Sequence, residues 1–355
     1  MSSVPELLQP WLRLVAASDA SDLHIGVGRP PSKRNSGELV PLAEDVLSTE
    51  VLDKLCVELC PEHKFQELKE VGGTDFSFDF DGDRYRASVF RQKGSLAMVL
   101  RRIPENRLSF DEIGAPQVLR ALARLPRGMI LVTGPTGSGK TTTLAAMIHE
   151  INLSRACHIM TLEDPIEFYH QSEKAVVNQR EVGEDVSSFS EALRRVLRQD
   201  PDVIMLGEMR DLETTSAAIS AAETGHLVMG TLHTTGAART VDRIIDQYPE
   251  NQQEQVRAQL AVSLQAVVSQ VLLPRKDGNG RIAAFEVMVR NSAIENHIRT
   301  GETFKIASVL QTQRRLGMQL LDDHLLELVQ EGTITREVAM DAAQLPSDFA
   351  MRLGG

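Results

Sequence analysis

The chain is long enough for two or three domains, since it has 355 residues and 42% of them are hydrophobic. Its net charge of −11 argues against a bulk electrostatic grip on nucleic acid, and we expect no nucleic-acid partner. No stretch reaches about eighteen consecutive apolar residues and the start lacks a basic segment, so a cytosolic protein without a membrane span is predicted. The three cysteines form no C-x-x-C pair, which indicates buried thiols rather than a zinc site.

Residues 1–103 predict a small α+β domain. Outside one hairpin, the spacing of apolar residues predicts helices over 4–17, 49–60 and 62–70, and strands over 22–27 and 96–100. Residues 104–114 have few apolar runs and are predicted to link this domain to a second one over 115–355.

A hairpin is the clearest β signal in the first domain. Residues 76–80 alternate phenylalanine with polar residues, Asp81-Gly82 turns the chain, and the alternation resumes over 84–89. Because side chains alternate across a strand, Arg84 and Arg86 share one face. That face is either a solvated strand surface or a site for an anion.

The second domain alternates strands with helices, which predicts a parallel sheet covered by helices. Apolar runs predict strands over 129–133, 157–162, 202–206 and 227–232, and helices after the first strand, over 188–199 and over 211–223. After residue 234 helices dominate, apart from a β pair near 270–289.

A phosphate-binding loop lies between the first of these strands and its helix. It fits the pattern G-x-x-x-x-G-K-[ST] through Gly134, Pro135, Thr136, Gly137, Ser138, Gly139, Lys140, Thr141 and Thr142. The glycines let successive backbone N–H groups face the phosphates, and the start of the helix adds positive potential. Lys140 is expected between the β- and γ-phosphates, and the Thr141 hydroxyl is expected on Mg²⁺. The loop predicts a nucleoside triphosphate site.

Acidic residues follow two other strands of the predicted sheet. Glu163 follows strand 157–162 and Glu208 follows strand 202–206. The carboxyl ends of parallel strands line the ligand crevice, so both acids are expected beside the phosphate loop. One would orient the attacking water and the other would serve Mg²⁺; ordinary helix-start acids remain the alternative. Gly207 stands where the commonest GTPase pattern has aspartate, which excludes that pattern.

Two histidines, His226 and His233, bracket the strand over 227–232. With Thr231 and Thr234 beside them, they are candidates for sensing the γ-phosphate. Structural histidines fit the same spacing, so both interpretations stay open at this point.

Several segments together resemble the secretion ATPases. Residues 161–167 (TLEDPIE) resemble the acidic box of that superfamily, and residues 223–234 resemble its histidine box. With the strand end over 207–211, the set resembles the type IV pilus retraction ATPases of the PilT/PilU family. The resemblance covers nearly the whole chain, because 21–24 are similar to the family's opening strand and 317–319 to its C-terminal helical region.

The resemblance implies a homohexameric ring of two-domain subunits that hydrolyse ATP with Mg²⁺. Each subunit would have a RecA-like ATPase domain with a C-terminal helical region and a small N-terminal PAS-like α+β domain. Glu163 would polarise the attacking water and Glu208 would support Mg²⁺. The arginines that reach the triphosphate from a neighbouring N-terminal domain would be Arg84, Arg86 and Arg101. The implied location is cytoplasmic and peripheral at the inner membrane, on a pilus platform protein and beside a paralogous retraction ATPase.

One family motif is altered here. Where the retraction family has Ala-Ile-Arg-Asn-Leu-Ile-Arg-Glu, residues 293–300 read AIENHIRT. The resemblance links this motif to retraction rather than hydrolysis, so the change favours an accessory motor. Residues 94–103 also resemble the PilU branch, the accessory motor, more closely. The alternatives are a RecA-type nucleic-acid motor, a non-hydrolysing partner, and a pilus-assembly or type II secretion ATPase. The last pair usually carries a tetracysteine zinc insert that this chain lacks.

Overall fold

The computed structural model describes residues 4–18, 20–35, 38–103 and 109–354. The chain divides into two compact units, Met1–Asn106 and Arg107–Gly355. Residues 104–108 of the predicted linker lie outside the described residues. Residues 109–114 form turns that bury Phe110 in the core of the second unit.

The first unit combines helices with one antiparallel sheet. Its helices are α1 (Gln9–Ala16), α2 (Thr49–Leu59) and α3 (Glu62–Val71). Its strands are β1 (Ala20–Gly26), β2 (Ser32–Asn35), β3 (Glu38–Pro41), β4 (Gly73–Phe80), β5 (Asp83–Gln92) and β6 (Ser95–Ile103). The strand order is β3-β2-β1-β6-β5-β4. The predicted hairpin is present as β4 and β5, whereas the short strands β2 and β3 were not predicted.

The helix predicted over 4–17 begins later than expected. Pro5 lies in a turn before α1, and Pro10 lies in the first turn of the helix. Apolar side chains of α1, α2 and α3 pack on one face of the sheet, against Leu23, Tyr85 and Leu100. Successive side chains of a strand alternate between the two faces of a sheet. The residues that alternate with these, including the predicted arginines, therefore lie on the opposite face.

The second unit contains a seven-stranded sheet. Its strands are β7 (Gly128–Thr133), β8 (His158–Glu163), β9 (Val176–Glu181), β10 (Val203–Leu206), β11 (Leu227–Leu232), β12 (Leu264–Pro274) and β13 (Arg281–Val289). The order is β13-β12-β7-β11-β10-β8-β9. Neighbouring strands run parallel except β12 and β13, which are antiparallel. The expected α/β architecture with a parallel sheet is confirmed.

The helices of this unit are α4 (Val118–Ala123), α5 (Lys140–Ser154), α6 (Phe189–Val196), α7 (Leu212–Glu223), α8 (Ala237–Ile245), α9 (Glu250–Ser263), α10 (Ser292–Thr300), α11 (Ile306–Thr312), α12 (Leu321–Gln330), α13 (Arg336–Ala342) and α14 (Pro346–Gly354). Short 3₁₀ helices lie at Thr303–Lys305 and Arg314–Leu316. Within the described ranges, no helix is both long and apolar enough to cross a membrane.

Helices cover both faces of this sheet. Buried side chains of α4 and α5 pack on one face, and those of α6 to α11 pack on the other. A separate apolar cluster joins α12, α13 and α14 to the ends of β12 and β13. Because β7, β8, β10 and β11 run parallel, their carboxyl ends lie at one edge, and the loops that follow them meet there.

Candidate functional site

The phosphate loop leaves β7 and opens directly into α5. Gly134 has φ +141° and Gly139 has φ +87°, conformations that residues with a Cβ rarely adopt. A Cβ on Gly134 would also lie 2.2 Å from the carbonyl oxygen of Gln270. Residues 135–137, at the tip of the loop, are exposed, whereas Ser138 and Lys140 are buried. The loop therefore depends on glycine for its shape, as the pattern predicted.

Lys140 lies inside the loop that it ends. Its side chain is 8% exposed, and Nζ donates hydrogen bonds to the carbonyl oxygens of Gly134 and Pro135, both at 3.0 Å. Burial lowers the pKa of Lys140, and the negative charge of Glu208 opposes that shift. The ammonium group is thus held where the loop would surround a phosphate chain.

Glu163 is the last residue of β8 and is 3% exposed. Its Oε1 accepts hydrogen bonds from the Thr161 hydroxyl at 2.6 Å and from Gln179 Nε2 at 3.1 Å. Its Oε2 accepts one from the Glu167 backbone N–H at 3.4 Å. Burial raises the pKa of Glu163 to about 7, against the opposing effect of these hydrogen bonds. A carboxyl group tuned to this range is suited to accepting a proton near neutral pH.

Glu208 is held by the turn that follows β10. A Cβ on Gly207 would lie 3.3 Å from the Cα of Glu163, so this turn packs tightly against the end of β8. The Thr231 hydroxyl donates to the Gly207 carbonyl oxygen at 2.5 Å. Arg210 Nε lies 2.7 Å from Glu208 Oε1. The close packing explains the glycine at this position and brings both acidic strand ends to the edge that carries the loop.

The structure separates the two predicted histidines. His233 Nε2 lies 3.9 Å from Glu208 Oε2. Burial, with the positive charge of Lys140, lowers the pKa of His233. His226 instead precedes β11, where its carbonyl accepts from the Gly128 N–H and its Nδ1 lies 3.0 Å from the Ala221 carbonyl. His226 therefore does not join the phosphate loop, because the whole length of β11 separates it from that edge.

The three predicted arginines lie in the first unit, and the sheet register places them on one face. Arg86 on β5 is opposite Arg101 on β6, and Arg84 is two residues from Arg86. Arg101 Nε lies 2.8 Å from Asp22 Oδ1, and Arg84 Nη1 lies 3.5 Å from Asp79 Oδ1. The predicted shared face is confirmed and extends to a third arginine.

The residues at the loop fit the phosphate chain of a nucleotide. Gly137, with φ +79°, has nothing within 4 Å of the position a Cβ would take, and the buried Ser138 Oγ has no hydrogen-bond partner among the described residues. A cavity of about 340 Å³ adjoins the loop and is lined in part by Thr142, Thr143 and Phe285. Thr141 lies half-buried in the first turn of α5. Its hydroxyl and the Glu208 carboxylate are oxygen groups of the kind that Mg²⁺ prefers.

The altered motif lies on α10. Ile294 and Ile298 are each 1% exposed and pack in the core, whereas Ala293 is exposed. Arg299 Nη2 donates to Glu295 Oε1 at 2.6 Å. Arg290 Nη2 donates to the other oxygen of Glu295 at 2.9 Å. Glu295 therefore bridges two arginines, and an arginine in its place would lose both contacts.

Two site residues were missed from the sequence. Gln179 on β9 donates to both Glu163 and the Phe168 carbonyl. Gln270 on β12 is 2% exposed and contacts the phosphate loop. The available signal for Gln270 was a glutamine inside an otherwise apolar strand, because a buried amide requires hydrogen-bond partners.

Fold and site together define a P-loop nucleoside triphosphatase with a RecA-like core. Residues 94–340 match the family described as "Type II/IV secretion system protein". The chain belongs to this family, among the secretion ATPases related to PilT and PilU.

Two relatives and one solved structure match this chain over nearly their whole length. The type IV pilus retraction ATPase PilT of Pseudomonas aeruginosa is 46% identical over 339 residues, which are 95% of this chain and 98% of PilT. The type IV pilus ATPase PilU of the same species is 38% identical over 343 residues, 96% of this chain and 90% of PilU. A crystal structure of the pilus retraction motor PilT with bound ADP superposes with a TM-score of 0.91 at 45% identity, covering 96% and 98% of the two chains.

Proposed function

We propose that this protein is a homohexameric, Mg²⁺-dependent ATPase that powers retraction of type IV pili. The observation that carries the proposal is one sheet edge that unites the phosphate loop, a buried carboxyl group and a lysine–glutamate–histidine cluster. The end-to-end similarity to PilT supports the pilus as the object of the motor. A cytoplasmic ring attached to an inner-membrane platform protein is part of the proposal.

In this proposal ATP binds with its phosphates inside the loop. The Lys140 ammonium, which donates to the carbonyls of Gly134 and Pro135, exchanges those neutral acceptors for phosphate oxygens. Glu163 then orients the attacking water and takes its proton. Thr161 and Gln179 both donate to the same oxygen of Glu163, which fixes the carboxyl plane. Thr141 and Glu208 would hold Mg²⁺, which when bound would neutralise part of the negative charge of the phosphates.

Glu208 gives a separate test of the metal assignment. We expect Glu208→Gln to raise the Mg²⁺ concentration needed for half-maximal ATP hydrolysis by about tenfold, because the amide loses the charge that attracts the ion. The affinity for ADP without Mg²⁺ should change much less. Mg²⁺ titrations of the ATPase rate and binding measurements with EDTA would check both. An unchanged Mg²⁺ requirement would contradict the assignment.

We propose that Arg84, Arg86 and Arg101 stabilise the triphosphate bound by a neighbouring subunit. Their common face and the permanent, forked charge of arginine support this role. We expect Arg86→Ala to lose most ATPase activity and the exposed Arg91→Ala, on the same strand, to retain it. Rings mixed from Arg86→Ala and Lys140→Ala subunits should regain activity, since some interfaces then hold both intact residues. Confirmed mixed rings without any recovery would exclude action between subunits.

The altered α10 motif favours a second candidate, an accessory motor that retracts pili only with a paralogous ATPase. Glu295, tied to Arg290 and Arg299, is the main charge change in that motif. The higher identity to PilT than to PilU, 46% against 38%, favours an independent motor instead. The two candidates share the ATPase site and differ only in whether the protein works alone.

Complementation tests the proposed function. In a piliated strain without retraction ATPases, we expect this protein to restore filament retraction and the Lys140→Ala variant to fail. Retraction by the protein alone identifies an independent motor. Retraction that requires both this protein and a second retraction ATPase identifies an accessory motor. If the protein hydrolyses ATP as a hexamer but supports no retraction, with or without the second ATPase, the pilus assignment is overturned and the ATPase assignment stays intact.

A further inference from the structure

We propose that Gln270 is a positioning residue that holds the phosphate loop in the conformation that binds nucleotide. The inference rests on the proposed ATPase function and adds a residue from a strand distant in sequence. β12 runs parallel to β7, with Val268 opposite Val132 and Ser269 opposite Thr133. Gln270 is the next residue, so it lies beside the point where β7 gives way to the loop.

The Gln270 side chain links the phosphate loop to the first turn of α5. Its Nε2 donates to the Ser138 carbonyl oxygen at 2.6 Å, and its Oε1 accepts from the Thr143 hydroxyl at 2.8 Å. A carbonyl oxygen can only accept a hydrogen bond, so the contact with Ser138 fixes which end of the amide carries the NH₂ group. The residue is 2% exposed, so water has little access to these contacts.

Anchoring the Ser138 carbonyl also orients the next backbone donor. In a trans peptide the C=O and the following N–H point in opposite directions. With the carbonyl held toward Gln270, the N–H of Gly139 faces away from β12. This N–H is one of the loop donors that the motif supplies to phosphates. Gln270 thereby holds one donor in place before nucleotide binds.

The glycines of the loop fit closely against the same residue. A Cβ on Gly139 would lie 3.2 Å from Gln270 Nε2, and one on Gly134 would lie 2.2 Å from the Gln270 carbonyl oxygen. The backbone and side chain of Gln270 therefore form a wall of the loop. These close approaches come in addition to its hydrogen bonds with Ser138 in the loop and Thr143 in α5.

The first test replaces the amide by an apolar side chain of similar size. We expect Gln270→Leu to weaken ADP binding about tenfold and to raise KM for ATP by a similar factor, because two buried hydrogen bonds are lost. The loop binds ground state and transition state alike, so kcat should change less than about threefold. The matched control is Gln265→Leu, on the same strand beside Gly128 at the opposite edge of the sheet.

The second test uses a variant whose contacts depend on pH. When protonated, the carboxyl group introduced by Gln270→Glu has an O–H that can donate to the Ser138 carbonyl and an oxygen that can accept from Thr143. When ionised, it places negative charge against that carbonyl and beside the phosphates. Burial raises the pKa of such a group, so the change falls above the ordinary range of glutamate. We therefore expect ADP affinity of the variant, relative to the parent, to fall as pH rises.

The outcomes separate this inference from the proposed function. A parent protein that binds no ADP and hydrolyses no ATP would overturn the ATPase assignment. An active parent with ADP affinity unchanged within twofold in Gln270→Leu would overturn the role of Gln270, as would equal losses in Gln265→Leu. If Gln270→Leu does not fold, Thr143→Val and the pH series of Gln270→Glu decide. The role of Gln270 would also be overturned if the ADP affinity of Gln270→Glu relative to the parent did not change with pH and Thr143→Val bound ADP with unchanged affinity.

Discussion

Lys140→Ala should abolish measurable ATP hydrolysis and weaken ATP binding by about two to three orders of magnitude, the usual loss when a desolvated charge partner is removed. Nζ lies inside the loop, where it donates hydrogen bonds to the carbonyl oxygens of Gly134 and Pro135. The alanine variant loses the charge and leaves both carbonyls without this donor. Equilibrium binding of ATP and steady-state hydrolysis at saturating ATP would measure the two effects.

The control for this variant is Lys174→Ala, which removes an exposed lysine from the same unit. Its ATP affinity and hydrolysis rate should equal those of the parent. Circular dichroism and ring size should be unchanged for both variants, since Lys140 contributes to a loop rather than to an apolar core. ATP bound by Lys140→Ala with parental affinity would show that the phosphates do not occupy the loop.

The sequence predicted the parts of the site that local chemistry determines. The phosphate loop was identifiable because its glycines, its lysine and its flanking strand and helix are contiguous in the chain. Glu163 and Glu208 were predicted from a rule of parallel sheets, and they do lie at the edge that carries the loop. Both inferences required only that apolar runs be assigned correctly as strands.

Tertiary pairing determined what the sequence did not predict. Gln179 and Gln270 reach the site from β9 and β12, whose places beside β8 and β7 depend on strand order rather than on spacing along the chain. His226 was a candidate for the site because it and His233 bracket one strand. A strand of six residues spans roughly 20 Å, so residues at its two ends belong to opposite edges of the sheet.

Glu163→Gln should retain ATP binding and lower kcat by about two to four orders of magnitude, the usual contribution of a positioned general base. The amide keeps the size of the side chain and its oxygen still accepts from Thr161, but it cannot take a proton from water. Single-turnover hydrolysis and ADP binding would separate the chemical step from affinity. The matched control is Glu181→Gln, a buried acid opposite Glu163 in the register of β8 and β9.

The kcat of the parent should depend on pH, because Glu163 must be ionised to act as the base. Burial raises the pKa of Glu163 to about 7, so the carboxyl group is largely protonated below that pH and ionised above it. Only the ionised form accepts a proton, and kcat should therefore rise with pH through about 7 and level off above about 8. The small residual rate of Glu163→Gln should lack this rise. Parental turnover by Glu163→Gln, or loss of the rise in Glu181→Gln instead, would assign the base to another acid.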